Sequence, residues 1–449
     1  MKDIINTLTM KELEQLTYRA LQNSFSQVMA NTLQELDEVI ASGRDKKRFY
    51  LKDKRMLTFE SVFGSVTLER NYYQDKKTGK YVYLLDQYLE FDGTKGMSPV
   101  VQDLAIELAV TGVSYRQASA AMEKLLGYPV ISHEGIRQQL LNTEVIPERS
   151  IPLEEEVLFV EVDGLYTKSQ EKNKKGREIK IASVHQGWEM NGNRARLKEK
   201  RHFIHEGRLP FWEEFEHYLM ETYEYDPTMH HLVINGDGAP WITSCRDYFQ
   251  KNATFVIDRF HVARDVQRIF RDHKRYRTIR KKLAEYDWKG FMVELNSAVG
   301  TFENEKKEER LEALLAQLSQ YPEALGDYRD ILHEKGIKTA KFRPMGSAEG
   351  TMSVFARRLK NGRSWCIDGL DRFMDVMVAL KDNLEIKTLQ GKLEQSLEDQ
   401  KKNIAKKPPK HFVEKLKDSV AEATRGNVAY LNQAVGKPVT DALKGLRGF

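Results

Sequence analysis

Residues 157–164 read VLFVEVDG, a short apolar run that ends in an acid and a glycine. Residues 232–238, LVINGDG, repeat this pattern. Both runs predict buried strands, which would place Asp163 and Asp237 at strand ends beside flexible turns. A third segment, GSAEG at 346–350, predicts a turn leading into a helix, so that Glu349 lies on the first helical turn and can face the sheet. Functional sites often lie at such a sheet edge.

Two aspartates and one glutamate are hard oxygen ligands, a set that suits Mg²⁺, for which Mn²⁺ can substitute. Such a site supports in-line displacement at phosphorus, with two metal ions roughly 3.5–4 Å apart activating the attacking oxygen and stabilising the leaving one. We expect Asp163 to bridge both ions, and Asp237 and Glu349 each to complete the coordination of one. Glu161 shares the strand face of Asp163, which makes it either an acid that orients the ligands or an ordinary hydrogen-bonded acid.

The composition indicates a globular chain of two or three domains, because 449 residues with 41% hydrophobic content are ample for real cores. No apolar run approaches the roughly 20 residues of a membrane-spanning helix. The amino terminus lacks the basic and apolar regions of a signal peptide, so we expect a cytoplasmic, nucleoid-associated protein without membrane contact. Cys245 and Cys366 are the only cysteines, which excludes a disulfide framework or a four-cysteine zinc site and predicts ordinary thiols.

The amino-terminal region separates into three parts. Residues 1–48 have helical spacing, and residues 49–95 alternate as the strands of a small β unit. Residues 96–146 predict two short helices, a turn and a serine-initiated helix, a pattern similar to a helix-turn-helix and also typical of helical hairpins without a ligand. The residues expected to contact DNA in this region are Arg116, Arg137 and Gln138.

Residues 153–261 alternate strands and helices in the order β-β-β-α-β-α-β, which is the order of the ribonuclease H-like fold. In that fold the first acid lies on the first strand and the second just after the fourth, where Asp163 and Asp237 fall. We therefore predict an α/β core built on a mixed five-stranded sheet. Residues 262–340 are predicted to form a helical insertion. Residues 341–380 are predicted to form a core helix that carries the last acid, and residues 381–449 a helical tail.

A formal charge of +5 is modest for this length, and the local distribution of charge is more informative. Residues 262–282 contain nine Lys or Arg against two Asp, which is typical of a helix that meets phosphates and also of a solvated helical face. A second basic stretch follows Glu349, where Trp365 is either a core residue or a ring that stacks on an exposed base. The basic residues expected to hold the DNA backbone are Arg268, Arg271, Arg275, Lys282, Arg357, Arg358, Lys360 and Arg363.

These residues resemble the motifs of DDE transposases, in particular the ISLre group of bacterial insertion sequences, which is broadly related to Mutator-like elements. The resemblance rests on EVDG at 161–164, NGDGA at 235–239, DRFH at 258–261, and Glu349 followed by RRLKNGRSW at 357–365. It implies Mg²⁺-dependent cleavage and strand transfer at the ends of a mobile element. It also implies a mostly helical insertion before the last acid.

The resemblance further implies roles for Asp258 and His261, which fit a Cys-or-Asp-x-x-His motif of such families. His261 would lie near the scissile phosphate or fix the first insertion helix against Asp258; the alternative is a helix-cap histidine packed on the sheet. The implied partners are the terminal inverted repeats of the element, the target DNA and further copies of this chain, as a dimer or higher homo-oligomer on DNA. The amino-terminal region has no cysteine zinc module of the kind that some insertion-sequence transposases carry.

Three other functions compete with this one. A nuclease of the same fold would cut or resolve DNA without strand transfer, but a recognition region before the core and a large insertion favour the transposase. A DNA-binding regulator with a degenerate core is disfavoured by the intact acids. A glycosidase with an Asp/Glu pair is more distant, because long basic helices have no use on a neutral sugar.

Overall fold

The computed structural model describes residues 9–388, apart from residues 92, 94, 95, 147–149, 172–175 and 361. The described residues divide into two compact units, residues 9–142 and residues 143–387. Most of the predicted helical tail, from residue 389 onward, lies outside the described residues. The described start of this tail, residues 381–388, contains the end of a helix at Asp382 and a short strand, Ile386–Thr388.

The first unit begins with a long helix, α1 (Met10–Gly43). The Thr9 hydroxyl accepts a hydrogen bond from the Glu12 backbone NH, and the Glu12 carboxylate accepts one from the Thr9 NH, which satisfies two backbone donors at the helix start. An antiparallel sheet with the order β1-β2-β3 follows. Its strands are β1 (Phe49–Ser61), β2 (Gly64–Asp75) and β3 (Tyr81–Val82).

The core of this unit joins α1 to the sheet. Leu36 and Ile40 of α1 are buried together with Phe59, Val66 and Tyr73 of the strands. After β3 the chain forms a short helix, α2 (Leu84–Leu89), where the alternation in the sequence predicts strand. A six-residue helix makes fewer than two turns, so its sequence offers no helical period to detect.

Three further helices complete the described part of the first unit. They are α3 (Pro99–Thr111), α4 (Tyr115–Leu126) and α5 (His133–Leu141). Each begins at a serine whose hydroxyl accepts a hydrogen bond from a backbone NH of the first turn, and these serines are Ser98, Ser114 and Ser132. Gly127 ends α4 in the left-handed region, with φ +79°.

The second unit is a mixed α/β structure built on a six-stranded sheet. The strands from Thr143 onward are β4 (Thr143–Val145), β5 (Val157–Ser169), β6 (Arg177–His185), β7 (Trp188–Asn191), β8 (Arg194–Leu197), β9 (Arg201–Ile204), β10 (His231–Gly236), β11 (Ala253–Ile257), β12 (Ser364–Trp365) and β13 (Ile386–Thr388). Five strands lie in the order β11-β10-β5-β6-β9, and β12 pairs with β5. β10 runs parallel to both β5 and β11. β6 runs antiparallel to both β5 and β9.

Two features of this sheet differ from the sequence prediction. The sheet has a sixth strand, β12, whose two residues are too few to give a strand pattern. The third strand of the predicted order is divided, because β8 belongs to a separate hairpin with β7 and only β9 joins the main sheet. β4 and β13 form a further two-stranded pair.

Both faces of the sheet are buried. Along β5, Leu158 and Val160 pack into one core while Val157 and Phe159 pack into another. A strand covered on both faces is apolar throughout, which explains the continuous run that opens the sequence motif. The helices of the unit are α6 (Phe211–Tyr223), α7 (Pro240–Thr243), α8 (Cys245–Phe249), α9 (Arg259–Phe270), α10 (Tyr276–Ala284), α11 (Trp288–Asn296), α12 (Glu305–Leu318), α13 (Tyr328–Glu334), α14 (Ala348–Leu359) and α15 (Ile367–Asp382).

Candidate functional site

Three adjacent strands of the second unit have aligned residues that are each followed directly by an aspartate. In that row Gly236 of β10 is aligned with Val162 of β5 and with Ile257 of β11. The next residues along the three strands are Asp163, Asp237 and Asp258. Because parallel strands reach a common edge, the structure brings these three carboxylates to neighbouring positions on one sheet edge.

The sequence predicts that Asp163 ends its strand. In the structure β5 continues past it to Ser169. At Asp163 the strand leaves its parallel partner but keeps its antiparallel one, with Asp163 opposite Ile181 of β6. Gly164 is therefore a strand residue and not a turn. The Glu178 carboxylate lies where a Cβ at Gly164 would be, so a side chain at this position would displace the end of Glu178.

The Asp163 carboxyl lies in an unfavourable electrostatic setting. Burial raises its pKa to about 6, and the charges of Asp237 and Asp258 add to the rise. The Gly164 backbone NH, which donates to Asp163 Oδ1 at 2.7 Å, and the nearby His261 act in the opposite direction. A bound cation would relieve both the burial cost and the repulsion.

Asp237 lies in a turn that the helical insertion holds. Its Oδ1 accepts a hydrogen bond from the Ala239 NH at 2.9 Å, and its backbone carbonyl accepts one from Gln317 Nε2 at 2.9 Å. Gly238 has φ +86°, and a Cβ at this position would collide with the Tyr321 hydroxyl. Contacts from α12 and the turn after it therefore fix the main chain around the second acid.

Asp258 and His261 form a pair at the start of α9. Asp258 caps the helix by accepting from the Phe260 NH at 2.8 Å. His261 Nδ1 lies 3.2 Å from Asp258 Oδ2, which is an ionic contact without hydrogen-bond alignment. The contact raises the pKa of His261; burial alone would raise the pKa of Asp258, but His261 and the Phe260 NH outweigh it and the net shift is downward.

Glu349 meets Asp163 and His261 in one open cavity of about 530 Å³. The three side chains reach it from the first turn of α14, from β5 and from α9. Cations also line the cavity, and these are Arg264, Arg357 and Lys360. Acids that suit a metal ion thus lie beside cations that suit a phosphate.

The helix that carries Glu349 is tied to the sheet by two polar side chains. Glu161 Oε1 accepts a hydrogen bond from the Gly346 NH at 3.2 Å, which gives this acid a positioning role. Lys200 Nζ donates to Thr351 Oγ1 at 2.7 Å. Burial lowers the pKa of Lys200, and the charge of Glu161 opposes the shift.

The sequence interpretation missed two residues of this site. Lys200 lies between β8 and β9 in no recognisable motif, and only the fold brings it to α14. Arg264 lies three residues after His261 on α9 and lines the same cavity. Its helical spacing from His261 was the available signal, because residues three apart share a helix face.

Three residues predicted to contact DNA are engaged within the protein instead. Trp365 is 9% exposed and donates through Nε1 to the Leu359 carbonyl at 3.1 Å, so it is a core residue and not a base-stacking one. Arg358 is 5% exposed, with its guanidinium 4.7 Å from the Phe373 ring centre. Arg363 donates to three carbonyls at the end of α14, where it caps the helix.

The basic stretch 262–282 is not one helix, because α9 ends at Phe270 and α10 begins at Tyr276. Arg271 lies exposed at the start of the intervening turn. Three of the predicted phosphate contacts form ion pairs on this surface: Arg275 with Glu294 at 2.7 Å, Lys282 with Asp287 at 2.7 Å, and Arg268 with Asp265 at 3.4 Å. Phosphate binding by these three would compete with an existing carboxylate.

The predicted recognition residues lie on two helices of the first unit. Arg116 is exposed on the first turn of α4. Arg137 and Gln138 of α5 both donate to Glu134, at 2.7 Å and 3.0 Å respectively. These hydrogen bonds lower the pKa of Glu134 to about 2, so DNA would have to compete with a firmly ionised carboxylate.

The acids in and beside the cavity suit a hard divalent cation. Asp163 lines the cavity, and Asp237 follows the neighbouring strand. Burial first, and then the Asp237 charge, raise the pKa of Asp163, and a bound cation would relieve both. Glu349 supplies a third oxygen ligand from a separate helix. Within the part of the chain that the structure describes, however, no three His, Cys, Asp or Glu side chains are close enough together to enclose a metal ion.

Comparison with known proteins places the chain in a family. Residues 4–395 match the model of the "Uncharacterised protein family (UPF0236)", and the chain belongs to this family. A UPF0236 protein of Caldanaerobacter subterraneus subsp. tengcongensis is 26% identical over 432 residues, which cover 92% of this chain and 88% of the relative. The "UPF0236 protein in vanSb 3'region" of Streptococcus gallolyticus is 26% identical over 401 residues, 84% of each chain.

Another relative from Caldanaerobacter has a name that joins eleven gene labels of that organism. It is 26% identical over 425 residues, which cover 92% of this chain and 87% of the relative. Among the described residues, no helix is long and apolar enough to cross a membrane.

Proposed function

We propose that this protein is a DDE transposase of the ISLre type, which binds the ends of a mobile DNA element and catalyses divalent-metal-dependent strand cleavage and strand transfer. The observation that carries the proposal is the meeting of Asp163 and Glu349 in one cavity, with Asp237 following the strand next to Asp163. The three acids come from distant parts of the sequence. Separate structural roles would not require this convergence.

The sheet supports a ribonuclease H-like core for this enzyme. Its five main strands include three consecutive antiparallel ones, β5, β6 and β9, followed by β10 and β11 parallel to the first. Asp163 lies on the first of these strands and Asp237 directly after the fourth, as such a core implies. The long helical segment before α14 fits the insertion that the resemblance implies.

The chemistry is in-line attack of a water or 3′-hydroxyl on a DNA phosphate. Divalent ions, when bound, would activate the attacking oxygen and stabilise the leaving 3′-oxygen. Asp163, Asp237 and Glu349 would hold them, and Asp163 is placed to serve both because it neighbours Asp237 and shares a cavity with Glu349.

The other cavity residues act on the phosphate. Arg264, Arg357 and Lys360 are placed to bind its non-bridging oxygens through charge-assisted hydrogen bonds. His261, whose pKa Asp258 raises, retains a proton more readily and can donate it as a hydrogen bond to a phosphate oxygen.

The names of the relatives also support a mobile element. One relative's name joins eleven gene labels of a single organism, and another's joins four. A protein encoded at many places in one genome is what a self-copying DNA segment leaves. A host nuclease or regulator is instead expected at one place.

The test is cleavage of labelled DNA carrying the element end, taken from the short inverted repeats expected beside the gene. Asp163→Asn, Asp237→Asn and Glu349→Gln keep side-chain shape and remove charge, so each should abolish cleavage in Mg²⁺ or Mn²⁺ while DNA binding and folding persist. Asp330→Asn, at an exposed acid on α13, is the matched control and should cleave normally. Near wild-type cleavage by all three site variants would refute the proposal.

A supercoiled target plasmid separates the transposase from its alternatives. Covalent joining of the labelled end to the plasmid identifies strand transfer. Cleaved ends without joined product would indicate a nuclease. End binding without cleavage in either metal would indicate a regulator.

A further inference from the structure

One face of the small sheet in the first unit carries an unusual row of tyrosines. Tyr50 of β1 is aligned with Gln74 of β2, which is aligned with Tyr81 of β3. Directly paired residues of antiparallel strands point to the same face, so both rings lie on one side of the sheet. Tyr50 is 56% exposed and Tyr81 is 44% exposed.

Two more rings extend this row into a continuous surface. Tyr72 stacks on Tyr81 with ring centres 5.3 Å apart and planes 18° from parallel. The Tyr83 ring centre lies 4.7 Å from that of Tyr72. We call these four residues, Tyr50, Tyr72, Tyr81 and Tyr83, the tyrosine face.

Cations surround the tyrosine face. The Lys52 ammonium lies 4.3 Å from the centre of the Tyr81 ring, and the Lys76 ammonium lies 5.6 Å from that of Tyr50. Residues 44–56 and 75–80, which include both faces of β1, together contain ten Lys or Arg against three Asp. Two of these acids, Asp75 and Asp53, are paired with Arg48 and Arg55. The edge of the sheet that carries the tyrosine face is therefore basic as well as aromatic.

A purely structural role explains only part of this arrangement. β1 is an edge strand, and lysines on edge strands prevent aggregation with other sheets. That role needs charge and gains nothing from exposed rings. β1 also exposes Leu51 and Met56, at 37% and 63%, which a strand protected only against aggregation would not need. Aromatic rings alternating with cations are instead the composition of surfaces that bind unpaired nucleic-acid strands.

We propose that the tyrosine face binds single-stranded DNA, with bases stacked on Tyr50 and Tyr81 and phosphates bound by the surrounding lysines. A duplex hides its base faces, so rings exposed on a sheet can select an unpaired strand. The choice of DNA among nucleic acids rests on the proposed function, because strand cleavage and transfer expose unpaired ends. The surface itself lies in a different unit from the acids.

The experiment measures binding of the full-length protein to a labelled mixed-sequence oligonucleotide, its duplex and the corresponding RNA. Tyr50→Ala and Tyr81→Ala should each weaken single-stranded DNA binding about tenfold and leave duplex binding unchanged. Tyr50→Phe and Tyr81→Phe keep the rings and should bind like wild type. Unchanged binding by both alanine variants, or equal losses on duplex, would overturn the proposal, and so would tighter binding to the RNA.

Charge is tested separately through the salt dependence. The variant K52Q/K76Q/K80Q should reduce the log–log salt slope for single-stranded DNA by about two units. The matched control K11Q/R19Q/K124Q removes the same charge from exposed positions on α1 and α4 and should leave the slope unchanged. Equal loss of slope in both variants would mean diffuse attraction and would refute a built surface.

The two proposals can fail independently. Asp163→Asn should bind single-stranded DNA normally while losing cleavage. If binding depends on the tyrosines but cleavage does not depend on Asp163, Asp237 and Glu349, the tyrosine face is retained and the transposase is rejected. If cleavage depends on the three acids but the tyrosine variants bind normally, the transposase is retained and the tyrosine face is rejected.

Discussion

Replacing Asp163 with Asn should stabilise the metal-free protein above neutral pH. In the folded chain the Asp163 pKa is raised from an ordinary 3.8 to about 6, chiefly by burial and next by the Asp237 charge. A shift of about two units corresponds to about 3 kcal/mol, since each unit is worth about 1.4 kcal/mol. The side chain is partly exposed, so solvent screening makes this an upper value, and we expect about 2–3 kcal/mol.

The pH dependence follows from the direction of the shift. The folded state holds a proton on Asp163 more tightly than the unfolded state does, so stability falls as pH rises from about 4 to 6. The full penalty is present above pH 6 and is absent below about pH 4. The asparagine carries no charge at any pH, and its advantage should therefore appear at pH 8 and disappear at acid pH.

Urea unfolding followed by tryptophan fluorescence measures this effect in the relevant unit. All five tryptophans belong to residues 143–387, at positions 188, 212, 241, 288 and 365. The buffer contains a chelator, and a parallel series contains Mg²⁺. Saturating Mg²⁺, at about 100 times its dissociation constant, should stabilise wild type at pH 8 by about 3 kcal/mol and leave Asp163→Asn unchanged. Asp330→Asn should follow wild type in both series.

Two results would refute the reasoning. Equal stability of wild type and Asp163→Asn at pH 8 would mean that Asp163 has an ordinary pKa. An equal advantage of the variant at pH 8 and pH 4 would mean that the amide packs better and that charge is irrelevant.

Three further predictions address the surroundings of the site. Trp365→Ala should cost about 3–5 kcal/mol of unfolding free energy, measured by urea, with the DNA affinity of the folded fraction unchanged, because the ring is buried; a selective loss of DNA binding would contradict its core position. Lys200→Met should lower kcat for cleavage with little change in KM, because the side chain positions the Glu349 helix, and Lys200→Arg should restore part of the rate. Arg271→Gln should flatten the salt dependence of DNA binding by up to about one log–log unit, whereas Lys282→Gln, whose side chain is paired with Asp287, should change it less; the reverse order would show that the pair opens on DNA.

The sequence predicts correctly those strands in which every residue is buried. β10 is buried at every position, so an apolar run of strand length is the only pattern it can show. The end of β5 escaped prediction for the opposite reason. After Asp163 the strand has exposed residues such as Tyr166 and a glycine, which together resemble a turn. Only its pairing with β6, set by distant residues, keeps it extended.

The acids and the cations of the site differ in how far sequence reveals them. An acid directly after a buried apolar run has its position fixed by the strand that the run forms, so Asp163 and Asp237 can be assigned to one sheet edge from local pattern alone, even though β5 continues past Asp163. The cations after Glu349 lie on the last turn of a helix and just beyond it, where neighbouring residues face different sides. Arg357 and Lys360 line the cavity, while Arg358, which lies between them in the chain, is buried against Phe373.

This division follows from helical geometry. Successive residues of a helix point about 100° apart, so neighbouring basic residues cannot all face one ligand. In α14 the buried stripe contains Met352, Phe355 and Leu359, and Arg358 falls on the same side as Phe355. Applying this spacing to RRLK at 357–360 would have assigned Arg358 to the interior before the structure did. A run of cations on a helix therefore indicates a phosphate-binding face only for those members that lie off the apolar stripe, and that condition selects Arg357 and Lys360 here.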